Sequence, residues 1–278
     1  MKKILIVVAA VLASSLLVVG CMKTPSLDKL VPGGIGGLID QIEKADKADP
    51  VDKTDGLPSE TVRGEESKNP GFSSGNSYEA YLEAKAGLIE KMTRAFDAFR
   101  DHGMEAVFSI IGFTTADIMM WPAAILWDDE LSAQQTAAIF GAVDMKLERS
   151  GNKASLTYNL DGEAVSFTGE PTDGADGFVF SFIQGGHEKL RSEFVRTPYG
   201  FAGQYFLTDD DGKARHYMVT IAGEEGAIGI DQDAVRPGPL TGKESLDFPL
   251  TASEWYRIEG KQLTGLTGDG FNIEATIP

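Results

Sequence analysis

The spacing of apolar residues divides the chain into two regimes, one helical and one extended. From Tyr78 to Arg100, the residues Tyr78, Tyr81, Leu82, Leu88, Ile89, Met92, Phe96 and Phe99 recur mostly at three- and four-residue steps, which is one face of an α-helix. Asn76 and Glu79 stand at capping-box spacing, so this helix is predicted to begin after Asn76 and to end by Gly103. Residues 104–127 follow as a long apolar run. Thr114 and Asp117 repeat the capping-box spacing, which predicts a break near Gly112 into two short helices. Glu105, Asp117 and Pro122 inside the run, and Asp128, Asp129 and Glu130 after it, argue against a membrane span and for a buried helical hairpin. A third helix is predicted from Ser132 to Val143, with an acidic start suited to its positive end.

From Asp144 the period changes to two. Leu156, Tyr158 and Leu160 share one face of a strand, and Ser155, Thr157 and Asn159 the other. Asp161-Gly162 is a strong hairpin signal, and Val165 and Phe167 continue the alternation beyond it. Phe178, Phe180 and Phe182 line one face of the next strand. Further strands are predicted at 188–196, 201–208, 214–222 and 226–231. After a loop holding Pro237, Pro239 and Pro249, three more follow at 254–259, 261–267 and 271–277, the last with Phe271, Ile273, Ala275 and Ile277 in alternation. About ten strands joined by short turns, with no helical crossover, make an antiparallel up-and-down sheet. Its apolar face needs a cover, and the helices at 76–143 can supply one. The expected fold class is α+β: N-terminal helices packed on a strongly curved, half-barrel-like meander, with 76–143 and 144–278 forming one domain.

Two segments precede this domain. Residues 1–21 run from a basic start at Lys2 and Lys3, through an apolar stretch from Ile4 to Val19, to Gly20-Cys21, the layout of an export signal with a cleavage site. Residues 21–75 are rich in Gly, Pro, Ser, Asp and Lys, including PGGIGG, KADKADP and RGEESKNPG. Such a composition buries too little apolar surface to offset ordering entropy. As a flexible tether it separates its ends by roughly 40 Å. Leu38, Ile39 and Ile42 suggest a marginal helix at 35–45.

The quartet Val18-Val19-Gly20-Cys21 resembles the lipobox of bacterial lipoproteins, and Cys21 is the chain's single cysteine. The resemblance covers the first 21 residues. It implies cleavage before Cys21, lipidation of its thiol, and anchoring to the cell envelope. Met22 stands where an aspartate would favour the inner membrane, so the resemblance leans toward the outer membrane, with the domain in the periplasm or at the cell surface. The order of exported leader, helices and long meander is similar in architecture to the half-barrels of the periplasmic lipoprotein carrier and its outer-membrane receptor. No motif residue matches, and no site is carried over.

Charge narrows the partners. The chain carries a formal −17, and loss of Lys2 and Lys3 with the leader takes this to −19. A surface of that sign repels nucleic acid. A hydrophobic content of 42% with 15 Phe supports a real core.

Motifs for chemistry fail on context. Gly71-Phe72-Ser73-Ser74-Gly75 spells G-x-S-x-G, but it lies in tether sequence before an antiparallel sheet, not between a strand and a helix. His102, His187 and His216 are never paired at ligand spacing. An EF-hand loop with Gly212 at its sixth position would begin at Leu207 and end at Met218, neither an oxygen donor from its side chain, so Asp209-Asp210-Asp211-Gly212 reads as a hairpin tip. Asp173 to Gly177 reads as a loop of the same kind. No catalytic, cofactor-binding or metal-ligating set emerges.

The expectation is a non-enzymatic, lipid-anchored envelope protein whose sheet binds an apolar ligand or a partner protein, with no cofactor. Phe178, Phe180, Phe182, Tyr205, Trp121 and Trp127 are the residues expected to form an apolar pocket or core. One alternative is a purely structural surface lipoprotein without a pocket. A weaker one is a hydrolase using Asp231, Asp233, Arg236, Glu244 and Asp247 in the loop 231–253.

Overall fold

The computed structural model describes residues 74–96, 103–126, 130–209 and 211–277. The leader, Cys21, the tether to residue 73, Phe99, His102 and Trp127 lie outside the described residues. Helices come first: α1 (Ser74–Phe96), α2 (Gly103–Met119), the short α3 (Trp121–Ile125) and α4 (Glu130–Ile139). Then come β1 (Val143–Ser150), β2 (Lys153–Leu160), β3 (Glu163–Pro171), β4 (Gly177–Gln184), β5 (His187–Thr197), β6 (Gly200–Thr208), β7 (Ala214–Ala222) and β8 (Glu225–Gln232). A strap of residues 233–253, with a 3-10 turn at Phe248–Thr251, leads to β9 (Glu254–Glu259), β10 (Gln262–Leu266) and β11 (Asn272–Thr276).

The eleven strands form one antiparallel sheet in strict chain order, with β1 and β11 at its edges. The fold is mostly β. Hairpin chemistry accounts for this order. Asp161 and Gly162 both have positive φ, 52° and 84°, the backbone of a two-residue turn whose twist matches its flanking strands. It sets Leu160 opposite Glu163 and Leu156 opposite Phe167, so the apolar sets of β2 and β3 fall on the same face.

One apolar cluster joins that face to the helices. It holds Tyr78, Tyr81, Leu88, Met92 and Phe96 of α1, Ile110 and Phe113 of α2, and at least one residue from each of β2 to β11, with Met145 and Leu147 of β1 packed against it. A second, small cluster of Val195, Ala202 and Leu240 lies on the opposite face, under the strap.

Several expectations need correction. The strand count is eleven, because Val143–Ser150 also pairs as an edge strand. Lys146, Glu148 and Arg149 obscure the inward-facing Met145 and Leu147 there, and a register shift interrupts its start. Helix α4 ends at Ile139, not Val143, because Gly141 (φ 76°) turns the chain into β1. Helix α1 begins at Ser74, ahead of Asn76.

The predicted break near Gly112 is absent. Helix α2 runs unbroken from Gly103 to Met119, and the interruption falls at Met120, before Pro122 in the first turn of α3. Gly112 instead permits close approach. A Cβ there would lie 2.7 Å from the Tyr217 hydroxyl on β7. Thr114 is thus a buried mid-helix residue, not a cap. Phe271, predicted to point inward with Ile273, lies before β11 and is 42% exposed.

Candidate functional site

Five of the six aromatic residues singled out in the sequence lie in the core between the helices and the sheet. Phe178, Phe180, Phe182, Tyr205 and Trp121 are all buried in the main cluster. Alternation along β4 puts its three phenylalanines on one face, and antiparallel pairing sets Phe194 of β5 directly opposite Phe178. Helix α1 lays Tyr78 on this layer, with ring centroids 5.1 Å from Phe180 and 5.3 Å from Phe194. Tyr81, one turn on, stacks on Phe194 at 5.0 Å. Trp121 sits apart from this group, stacked on Phe140 at 4.6 Å and tilted against Tyr158.

A charged cluster lies inside this layer. Lys85, on the apolar stripe of α1 four residues after Tyr81, is 2% exposed. Its ammonium donates to the Asp117 carboxylate on α2 and, at 2.9 Å, to the Tyr205 hydroxyl on β6. The hydroxyls of Tyr205 and Tyr81 share a further hydrogen bond of 2.9 Å. The ammonium also lies 4.5 Å from the ring centres of both Phe113 and Tyr205, the geometry of a cation–π contact.

Burial drives the electrostatics of this cluster. It pushes Lys85 below the usual lysine range and Asp117 above the usual carboxylate range, while each opposes the other's shift by attraction. The Tyr78, Tyr81 and Tyr205 phenols are all raised, mainly by burial. The cluster satisfies a buried cation with a carboxylate, a phenol and two ring faces. In doing so it fixes α1, α2 and β6 relative to one another.

Sequence reasoning missed Lys85 and treated Asp117 as a cap and as an obstacle to membrane insertion. The signal was a lysine at an inward position of the α1 stripe, in register with Tyr81 and Leu88.

Four of the five residues considered for hydrolysis are engaged in separate contacts. Asp231 accepts from the Ser253 backbone and hydroxyl at 2.8 and 3.0 Å. Glu244 caps the turn at Thr241-Gly242, accepting from both backbone N–H groups and the Thr241 hydroxyl. These bonds hold its carboxyl below the usual range against the opposing effect of partial burial. Asp247 pairs with Arg257 and Arg236 with Glu188, both at 3.1 Å. Asp233 occupies a left-handed turn, φ 51°, just after β8.

His216, expected on the polar face of its strand, lies on that face but is buried. Among the described residues, no group of three or more His, Cys, Asp or Glu side chains is placed to hold a metal ion. Likewise, no described helix is long and apolar enough to cross a membrane. In comparisons with known proteins, no family model, curated protein or solved structure matches the chain.

Proposed function

We propose that this chain is a lipid-anchored cell-envelope protein of non-enzymatic type, held to the membrane through Cys21 and more at home at the outer than the inner membrane. The sheet curves around α1 and α2 as a half-barrel, and its inner face holds an apolar ligand or a partner protein. The observation that carries the binding role is the continuous aromatic layer of Phe178, Phe180, Phe182, Phe194 and Tyr205 on one face, roofed by Tyr78 and Tyr81. The leader and single cysteine carry the anchoring role, since stable attachment takes two or more acyl chains and the lipobox resemblance implies a diacylglycerol on the thiol.

Intact-mass analysis of the native protein tests the anchor: a diacylglyceryl adduct on Cys21, lost in Cys21→Ser, supports it, and an unmodified thiol refutes it. Native extraction followed by lipid mass spectrometry tests the binding role. A co-purifying apolar molecule, displaced when Phe180 is replaced by a charged residue, is the expected result.

The direct stacking of Tyr81 on Phe194 favours a second reading, a structural lipoprotein whose aromatic face is fully occupied by its own helices. That reading predicts protein that extracts empty and takes up no hydrophobic dye while folded.

A further inference from the structure

The outer face of the sheet carries a buried polar row that the preceding reading does not use. Glu193 on β5 and Gln204 on β6 are direct antiparallel partners, and His216 on β7 lies diagonal to Gln204. All three are buried, at 2%, 5% and 8% exposure. The cover is the 233–253 strap. Leu240 packs on Val195 and Ala202, and the Thr220 hydroxyl donates to the Leu246 carbonyl at 2.9 Å. Arg236 reaches back to Glu188, and Asp247 to Arg257.

Hydrogen bonding fixes the row's orientation. The Gln204 amide nitrogen lies 2.8 Å from both the Glu193 Oε2 and the Gly238 carbonyl of the strap. Two acceptors there require the NH2 group, so the amide oxygen faces His216 Nε2, 3.2 Å away, and that nitrogen carries the proton. Glu193 Oε1 has no hydrogen-bond partner. A charged carboxylate with an empty oxygen in a dry site is costly, and a protonated one much less so.

We infer that the strap is a pH-compensated cover, latched through Gln204 and Gly238, in which Glu193 closes as the neutral acid and His216 as the neutral base.

Charged neighbours leave both preferences standing. Facing Glu193 are Arg191 on its own strand, Gln204 on β6, Val179 on β4, and the Leu240 backbone and Glu244 carboxylate on the strap. Burial, helped by the Glu244 charge, outweighs the hydrogen bonds from Gln204 and the Leu240 backbone and the attraction of Arg191, and its carboxyl is raised. Facing His216 are Gln204 and, on β8, its register partner Asp231. Burial again outweighs the attraction of Asp231, and the imidazole is lowered.

The two signs oppose. A group raised in the closed form resists opening at low pH and favours opening as pH rises above its free value. A group lowered in the closed form favours opening as pH falls below its free value. Above the free glutamate range, about pH 4.5, the first effect sets in, and below the free histidine range, about 6.5, the second, so between the two the pH slopes oppose each other.

Hydrogen exchange of the full chain, followed by mass spectrometry from pH 4 to 8 and corrected for intrinsic rates, reads strap opening in peptides covering 236–246. In Glu193→Gln, opening is expected to rise as pH falls below about 6.5. In His216→Gln it is expected to rise as pH climbs above about 4.5, each with a slope of up to about tenfold per pH unit. The double variant is expected to be flat, and peptides of β4 and β10 to be unmoved in all of them. Equal slopes in both single variants would overturn the inference. So would slopes shared equally by the β4 and β10 peptides, which would mark a change in global stability in place of a strap movement.

Discussion

Lys85 and Asp117, on successive helices, form an ion pair inside the aromatic layer, and Tyr205 binds the same ammonium from the sheet. Deleting one charge strands the other in a dry site. Asp117→Ala and Lys85→Ala are each expected to cost about 3–5 kcal/mol in chemical denaturation. Lys85→Met combined with Asp117→Leu is expected to recover most of that loss, because apolar residues of similar volume can replace a buried pair. Single losses near zero would show the pair exposed to water.

Two helical glycines should answer oppositely to the same substitution. Gly87 is exposed on α1 and a Cβ there meets nothing within 4 Å. Gly87→Ala should stabilise by about 0.5–1 kcal/mol, the entropic cost of glycine in a helix. Gly112→Ala should destabilise by about 1–3 kcal/mol, because its methyl meets the Tyr217 hydroxyl. Tyr217→Phe removes that oxygen and should rescue Gly112→Ala in a double-mutant cycle.

Under the strap, Gly229 plays a similar part on β8. A Cβ there would lie 2.1 Å from the Pro249 carbonyl oxygen. Backbone cannot swing aside as a side chain can, so Gly229→Ala is expected to lift the 3-10 turn and cost about 1–3 kcal/mol. Limited proteolysis should then cut within 245–253 while the remaining strands stay protected.

Alkaline titration should show the buried phenols. Tyr78, Tyr81, Tyr158, Tyr205 and Tyr217 are all raised by burial, so the folded form keeps them protonated where the unfolded chain ionises. Their contribution to stability is complete below about pH 10 and is lost as pH rises above it. Tyrosinate absorbance near 295 nm is expected to appear together with loss of the far-ultraviolet sheet signal. Five phenols titrating smoothly before unfolding would contradict the described burial.

The meander was legible because each element advertises itself locally. Leu156-Tyr158-Leu160 and Phe178-Phe180-Phe182 announce their faces, and Asp161-Gly162 announces its turn. Local rules failed where a distant partner decides. Thr114 and Asp117 satisfy a capping box on paper, yet tertiary packing keeps α2 helical through them and spends Asp117 on Lys85. His216 alternates like a surface residue, and nothing in β7 foretells that the strap will cover it. Periodicity reads one element at a time, whereas the Lys85–Asp117–Tyr205 cluster and the polar row each join residues from three separate elements.

Strict chain order in the sheet bears on how the molecule is made. Each strand finds its partner in the one synthesised just before it, so nearly every closure spans a tight turn and costs little loop entropy. The four helices emerge ahead of all eleven strands, and α1 and α2 offer them an apolar template. The sheet can therefore grow by accretion, one hairpin at a time, and the 21-residue strap is the one long detour that must wait for four finished strands before it has anywhere to lie.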